Sequence, residues 1–349
     1  MYKNIVFLSL ISLLISCTSK DNGEPDSTLI EEGGIFILNE GNYSVANSSL
    51  SYYYPDRSEI RKSLFYKVNN VPLGDVAQSL TIKNNSVYVV INNSGLIYGI
   101  NRNTLEFEGK INGLVSPREM IFIDDNKAYV SDLYSSSITI VDPVIYEIIG
   151  GIEIGKSSDC MIKSQNRVFI ANWSAYNQTK LNNTLMVIDS DIDILVDSII
   201  VGIEPNSMVI DKDGLLWVLC SGGFMNDEMP TLWQINPVSL EIVKTIEFED
   251  ILQNPDNLCI NGTKDTIYFL NNGVFSMSIN SLKLPDNAII TSVNNTYYTL
   301  GIDPVNSEIY VSDALDYNQD GLVYRYSATG TFISSFEAGI IPGDFEFNY

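Results

Sequence analysis

One short pattern constrains this chain more than any other feature. A β-rich run with an aromatic near its centre appears as GIFILNEG (Phe36), SVYVVINN (Tyr88), KAYVSDLY (Tyr129), RVFIANWS (Phe169), LLWVLCSG (Trp217), TIYFLNNG (Tyr268) and EIYVSDAL (Tyr310). Successive aromatics are 52, 41, 40, 48, 51 and 42 residues apart. Helical periodicity is nearly absent beyond residue 33, and Asn, Asp, Gly, Ser and Pro turns separate the runs. A period of about 40–50 residues is that of a four-stranded propeller blade. The expected fold is all-β: a seven-bladed β-propeller.

Three further strands complete each unit. One precedes the aromatic run (SLTIK, EMIFI, DCMIK, SMVID, NLCIN, TLGID), and one follows it and often ends on Asn or Asp (YGIN, TIVDP, MVIDS, WQINP). A fourth comes last (FEGKI, IIGGIEI, LVDSIIV, IVKTIEF). We call them A to D from the axis outward. The first unit has B, C (SLSYYYPD) and D (RKSLFYK) but no A, whereas GDFEF near the C-terminus aligns with the A strands and has no unit of its own. The expectation is that this segment supplies the inner strand of blade 1, leaving no open sheet edge between first and last blades.

Residues 1–16 read as a signal peptide: Lys3 precedes an apolar run, Ile5 to Ile15, too short to span a bilayer. Leu14-Ile15-Ser16-Cys17 resembles a bacterial lipobox, which implies lipidation of Cys17 and a membrane-anchored protein. Residues 17–32 are polar and aperiodic and read as a flexible tether; residues 33–349 are the propeller. Lys20 and Asp21 resemble the acidic export signal of surface-exposed Bacteroidetes lipoproteins. The net charge of −23, with no basic run, argues against a nucleic-acid surface. Beyond Cys17, the cysteines Cys160, Cys220 and Cys259 match no zinc spacing and read as buried thiols. The chain has no histidine, which removes Ser-His-Asp and Cys-His systems, histidine-ligated metals and the commonest general base.

In a propeller the D–A and B–C connections share one face. The A–B turns here are tight (KNNS, DDNK, SQNR, DKDG), but several B–C connections are long: NEGNYSVANSS, NWSAYNQTKLNN, SGGFMNDEMP and DALDYNQDG. Loops longer than a hairpin needs are where function concentrates. They and the shorter DLYSSS carry Asn42, Tyr43, Tyr134, Trp173, Tyr176, Phe224 and Tyr317, and the D–A connections add Asp75, Arg118, Asp159, Asn206 and Asp256. Aromatic and amide groups over the axis suit a large, partly apolar ligand. From these the candidate ligand-binding set is Asn42, Tyr43, Asp75, Arg118, Tyr134, Trp173, Tyr176, Asn206, Phe224 and Tyr317; the plainer alternative is that these aromatics pack their own loops. Asp316, Asn318, Asp320 and Gly321 fit the first half of a calcium loop, although position twelve is Ser327 rather than Glu. Against this candidate calcium site stands a solvated Asp/Asn turn. No Gly-rich phosphate loop, GxSxG or Asp-box is present.

The stretches Ile37 to Asn42 (ILNEGN), Pro72 to Val76 (PLGDV) and Ala128 to Tyr134 (AYVSDLY) resemble the YncE-like surface-layer propeller lipoproteins of Bacteroidetes. The resemblance runs across the mature chain, strongest in blades 1 to 3 and loose in blade 6. That group includes surface cobalamin-binding lipoproteins that cap a TonB-dependent outer-membrane transporter. The resemblance therefore implies an outer-membrane, surface-exposed binding protein, not an enzyme, with cobalamin or another corrinoid as its carried ligand and such a transporter as partner. Two other readings stand beside it: a propeller lyase or hydrolase working with acidic groups, and a structural or adhesive surface-layer protein binding glycan or protein.

Overall fold

The computed structural model describes residues 29–174 and 182–349. Seven four-stranded antiparallel sheets form a closed seven-bladed propeller. The inner strands are Pro342–Asn348, Ala77–Lys83, Pro117–Phe122, Met161–Ser164, Pro205–Ile210, Asp256–Ile260 and Tyr297–Ile302, for blades 1 to 7. Blade 1 takes its inner strand from the C-terminal segment: Pro342–Asn348 pairs antiparallel with Gly34–Asn39, placing Phe345 opposite Ile37 and Phe347 opposite Ile35. The strand reaches one residue beyond GDFEF at each end.

Burial follows position in the blade. The B strands carry the repeated aromatics and are buried on both sides, as in Gly34–Asn39, Ala128–Asp132 and Leu216–Cys220. Both faces of each blade meet another blade, so these strands read as unbroken apolar runs instead of alternating ones. Phe36, Tyr88, Tyr129, Phe169, Trp217, Tyr268 and Tyr310 are all buried. The outermost strands are the reverse: Glu147–Glu153 and Ile194–Ile200 each bury one residue. Among the described residues the core divides into seven clusters, one between each pair of adjacent blades. The cluster between blades 7 and 1 joins Ile35, Ile37 and Tyr53 to Tyr310, Val323 and Phe345. Removal of the closing strand would therefore open one of seven equivalent seams.

Two outer strands depart from expectation. The run RKSLFYK is not a strand: blade 1's outer strand is Glu59–Arg61, and a helix, Leu64–Asn69, follows. Ser63 and Asn70, both left-handed, bracket it. A helical turn buries both Leu64 and Phe65 in the seam between blades 1 and 2, whereas an extended strand would turn one of the pair outward. In blade 6 the outer strand shrinks to Ile290–Thr291.

The chain enters on the face that carries the A–B and C–D turns. Ile30 is buried and its N–H donates to the Asn103 carbonyl in blade 2's C–D turn. The Glu31 carbonyl accepts from the Tyr52 hydroxyl, and the Gly33 N–H donates to the Asn348 carbonyl. The expected signal peptide, Cys17 and the expected tether as far as residue 28 lie outside the described residues. No helix among the described residues is long and apolar enough to cross a membrane.

Candidate functional site

An inner strand is an edge strand, and its axial N–H and C=O groups have no neighbouring strand to pair with. Side chains of adjacent inner strands meet them instead. Asp344 Oδ2 accepts from Leu80 N at 2.9 Å, Glu119 Oε2 from Met161 N at 2.7 Å and Ser207 Oγ from Leu258 N at 2.9 Å. Ser79 Oγ donates to the Arg118 carbonyl at 2.7 Å, and Asn257 Nδ2 to the Tyr298 carbonyl at 3.2 Å. Polar residues at the starts of the inner strands thus tie blade to blade and also wall the axis.

On the face of the B–C and D–A connections these residues enclose a cavity of about 620 Å³. Its charged wall is Glu40, Arg118, Glu119, Asp159, Asp256 and Asp344, and its aromatic side is Trp173, Phe224, Tyr298 and Tyr317. Arg118 is the only cation in this wall among the described residues. Its Nε donates to Asp159 Oδ1 at 2.6 Å and its Nη1 to Gln78 Oε1; Nη2 has no hydrogen-bond partner among the described residues. The guanidinium carbon lies 5.6 Å from the centre of the Trp173 ring, and Trp173 leans on Phe224 with ring centres 5.5 Å apart. Opposing aromatics are Tyr298 and Tyr317, edge to face at 6.0 Å.

Glu40 follows blade 1's B strand and is held by the last blade: the Tyr298 hydroxyl donates to Oε1 at 3.0 Å and to Oε2 at 2.9 Å. Gly343 makes room for it, since a methyl group there would lie 2.5 Å from Glu40 Oε1. Burial raises the carboxyl groups of this wall far above the ordinary range: Glu40 to about 7, Glu119 to about 8, Asp256 to about 7 and Asp344 to about 6. For Arg118 burial works against the charge, but Asp159, with help from Glu40 and Tyr298, offsets it and holds the group above its usual value. Cys160 and Cys259 also line the cavity, and burial pushes both thiols up, Cys259 to about 12. They are protonated and unreactive at neutral pH. Cys220 is fully buried.

Of the ten residues expected to bind ligand, Arg118, Trp173, Asn206, Phe224 and Tyr317 line this cavity. Asn42 and Asp75 do not: Asn42 Nδ2 donates to the Tyr317 carbonyl, and Asp75 accepts from Ser44 N and Asn93 Nδ2. Both fasten loops on the cavity face. Tyr43 and Tyr134 stand out into solvent, 73% and 59% exposed, away from the wall. Tyr176 lies outside the described residues. The expected set omits Glu40, Gln78, Glu119, Tyr298 and Asp344. Glu119 and Asp344 follow a Pro or Gly within two residues at the start of an inner strand (PREM, PGDFEF), a pattern that marks the strand start but not the side its residues face; Glu40, Gln78 and Tyr298 show no such pattern.

The candidate calcium residues are engaged within the protein. Asp316 Oδ1 accepts the N–H groups of Asn318 and Gln319, Asn318 Nδ2 donates to the Asp316 carbonyl, and Asp320 pairs with Lys62 Nζ at 3.1 Å. Among the described residues no three or more Asp, Glu, Cys or His side chains are grouped to hold a metal ion. The segment is an Asx turn fastened by an ion pair.

No curated protein matches the chain. Among solved structures it is similar to a quinonprotein alcohol dehydrogenase-like protein from Bacteroides thetaiotaomicron, with TM-score 0.71 and 13% identity over 91% of this chain and 79% of that one. It is also similar to a functionally unknown protein from Desulfotomaculum acetoxidans, with TM-score 0.65 and 15% identity over 90% of this chain and 98% of that one. A third is the dihydro-heme d1 dehydrogenase NirN, with TM-score 0.63 and 11% identity over 91% and 76% of the two chains. At these identities the likeness is one of fold. A family profile described as a domain of unknown function, DUF5074, matches residues 33–339. That match spans nearly the whole propeller, and the chain belongs to the DUF5074 family.

Proposed function

We propose that this protein is a surface-exposed outer-membrane lipoprotein that captures cobalamin or a related corrinoid at its axial cavity and passes it to a TonB-dependent transporter. The observation that carries the reading is the pairing of aromatic surface with unspent polar groups in one cavity. Trp173 and Phe224 offer broad apolar contact, while Arg118 Nη2 is a free donor and one Glu119 oxygen is unpaired among the described residues. Primary amides satisfy both kinds of group, and a corrin ring is a flat apolar body fringed with primary amides. Cobalamin as a whole is larger than the cavity of about 620 Å³, so the ring would lie at the mouth with amide arms reaching inward. With no histidine in the chain, the bound cobalt keeps its own lower base or water.

Titration of the mature protein with cyanocobalamin, followed by calorimetry and absorbance, tests this. Binding without a histidine-ligated spectral shift is expected. Trp173→Ala should weaken it most, since aromatic anchors cost about 2 kcal/mol or more on truncation, roughly thirtyfold in affinity. Lys212→Ala, in an A–B turn on the opposite face, should change nothing. No binding at micromolar ligand would overturn the corrinoid assignment.

A second reading, an acid–base enzyme, draws on the carboxyl groups held near neutral pH, above all Glu40 at about 7 and Glu119 at about 8. We favour the binding protein, because the same groups already serve as hydrogen-bond acceptors that tie the blades together.

A further inference from the structure

We propose that the axial cavity selects for positive charge, taking a ligand that carries an ammonium group on a flat apolar body. The inference rests on the axial cavity being the ligand site, as above, but not on that ligand being a corrinoid.

The wall is unbalanced. Glu40, Glu119, Asp159, Asp256 and Asp344 face a single guanidinium, and Asp159 already answers that charge at 2.6 Å. Among the described residues no lysine lines the cavity. Two acceptors remain open. Glu119 spends one oxygen on Met161 N and has no partner for the other among the described residues, and Asp256 has only its neighbour Asn257. They come from blades 3 and 6, on opposite sides of the ring. Such carboxylates in a partly desolvated cavity have two ways to avoid unpaired charge: hold a proton or hold a cation. Burial pushes Glu119 and Asp256 toward the first near neutral pH. A bound cation would supply the second and displace those protons.

The aromatic wall argues for an organic cation over a bare metal ion. Trp173, Phe224, Tyr298 and Tyr317 bring ring surface to the same cavity. Ring faces attract alkylammonium groups, and more strongly where water is excluded. A hydrated inorganic ion gains little from such walls, and no metal-holding group of side chains is present among the described residues.

Three probes that share one indole ring but differ in charge test the proposal on the unaltered mature propeller: tryptamine (positive), indole-3-acetamide (neutral) and indole-3-acetate (negative). Their affinities are measured by calorimetry near neutral pH and low salt. Tryptamine should bind about tenfold tighter than the amide, the worth of one charge-assisted hydrogen bond, and the acetate should not bind. The double substitution Glu119→Gln with Asp256→Asn should erase the preference while retaining an acceptor for Met161 N. If that variant fails to fold, the series on the unaltered protein decides alone. Equal binding of the three probes, or no tryptamine binding at millimolar concentration, overturns the proposal. Cobalamin binding without tryptamine binding would sink this inference and leave the corrinoid reading intact; the reverse result would do the opposite.

Discussion

Tyr298, on the inner strand of blade 7, donates its hydroxyl to both carboxylate oxygens of Glu40, which follows the B strand of blade 1. The pair crosses the seam where the ring closes and forms part of the cavity wall. Tyr298→Phe removes the only side-chain hydrogen bond to the Glu40 carboxylate among the described residues and leaves that carboxylate buried. The expected cost is about 1–3 kcal/mol when Glu40 is charged. Because the loss also raises the Glu40 pKa further, the penalty should be larger at pH 8 than at pH 5.5 in urea unfolding. An equal penalty at both would show that Glu40 ionisation is not coupled to this bond.

The buried carboxyls predict an unusual pH profile. Glu40, Glu119, Asp256, Asp344 and Glu346 all have folded pKa values raised by burial, Glu346 to about 8. Between the unfolded values and these raised ones, the folded state binds more protons than the unfolded state. Stability therefore falls as pH rises through that window, from about pH 4.5 to pH 8. Thermal melting should give its highest midpoint near the acid end, and a midpoint that climbs toward pH 8 would contradict the assignment.

Closure can be tested at Phe345, which packs between Ile37 and Tyr310 in the seam of blades 7 and 1. Phe345→Ala should cost about 3–5 kcal/mol in chemical unfolding. Truncation after Ile341 removes the whole inner strand and should cost more. A truncated protein melting within a degree or two of the intact one would mean that the closing strand adds nothing.

Calcium should be inert. Asp320 is bound to Lys62, and Asp316 is occupied by two backbone N–H groups of its own turn. Chelator or millimolar calcium should leave the melting midpoint unchanged. A rise of several degrees with calcium would show that the ion displaces Lys62.

The repeat was legible because each B strand is pressed between two neighbours, a position that demands a large buried side chain such as Tyr129 or Trp217 in every blade. The closing strand was legible as a remainder: one blade lacked an inner strand and one segment lacked a blade. The cavity was only half legible. Trp173, Phe224 and Tyr317 sit on loops, where an aromatic stands out against its surroundings. Glu119 and Asp344 sit on inner strands, where polar alternation looks like an ordinary solvent-facing side and nothing local reveals that the side faces the axis. Asn42 and Asp75 lie off the cavity wall, and in sequence a polar loop residue that ties its own loop reads like one that faces a cavity.

The anchoring of residues 30–33 beside Asn103, Tyr52 and Asn348 sets a compass bearing for the molecule. A lipid on Cys17, as proposed, would hold the propeller by the face opposite its cavity, so the mouth looks outward from the bilayer like an upturned bowl. Such a posture favours collecting from the medium over giving to a pore in the same membrane. If the protein delivers a ligand as proposed, the body would have to turn toward the membrane, and the length of the segment between Cys17 and Leu29 would set how far it can reach. Shortening that segment should spare capture and impair transfer.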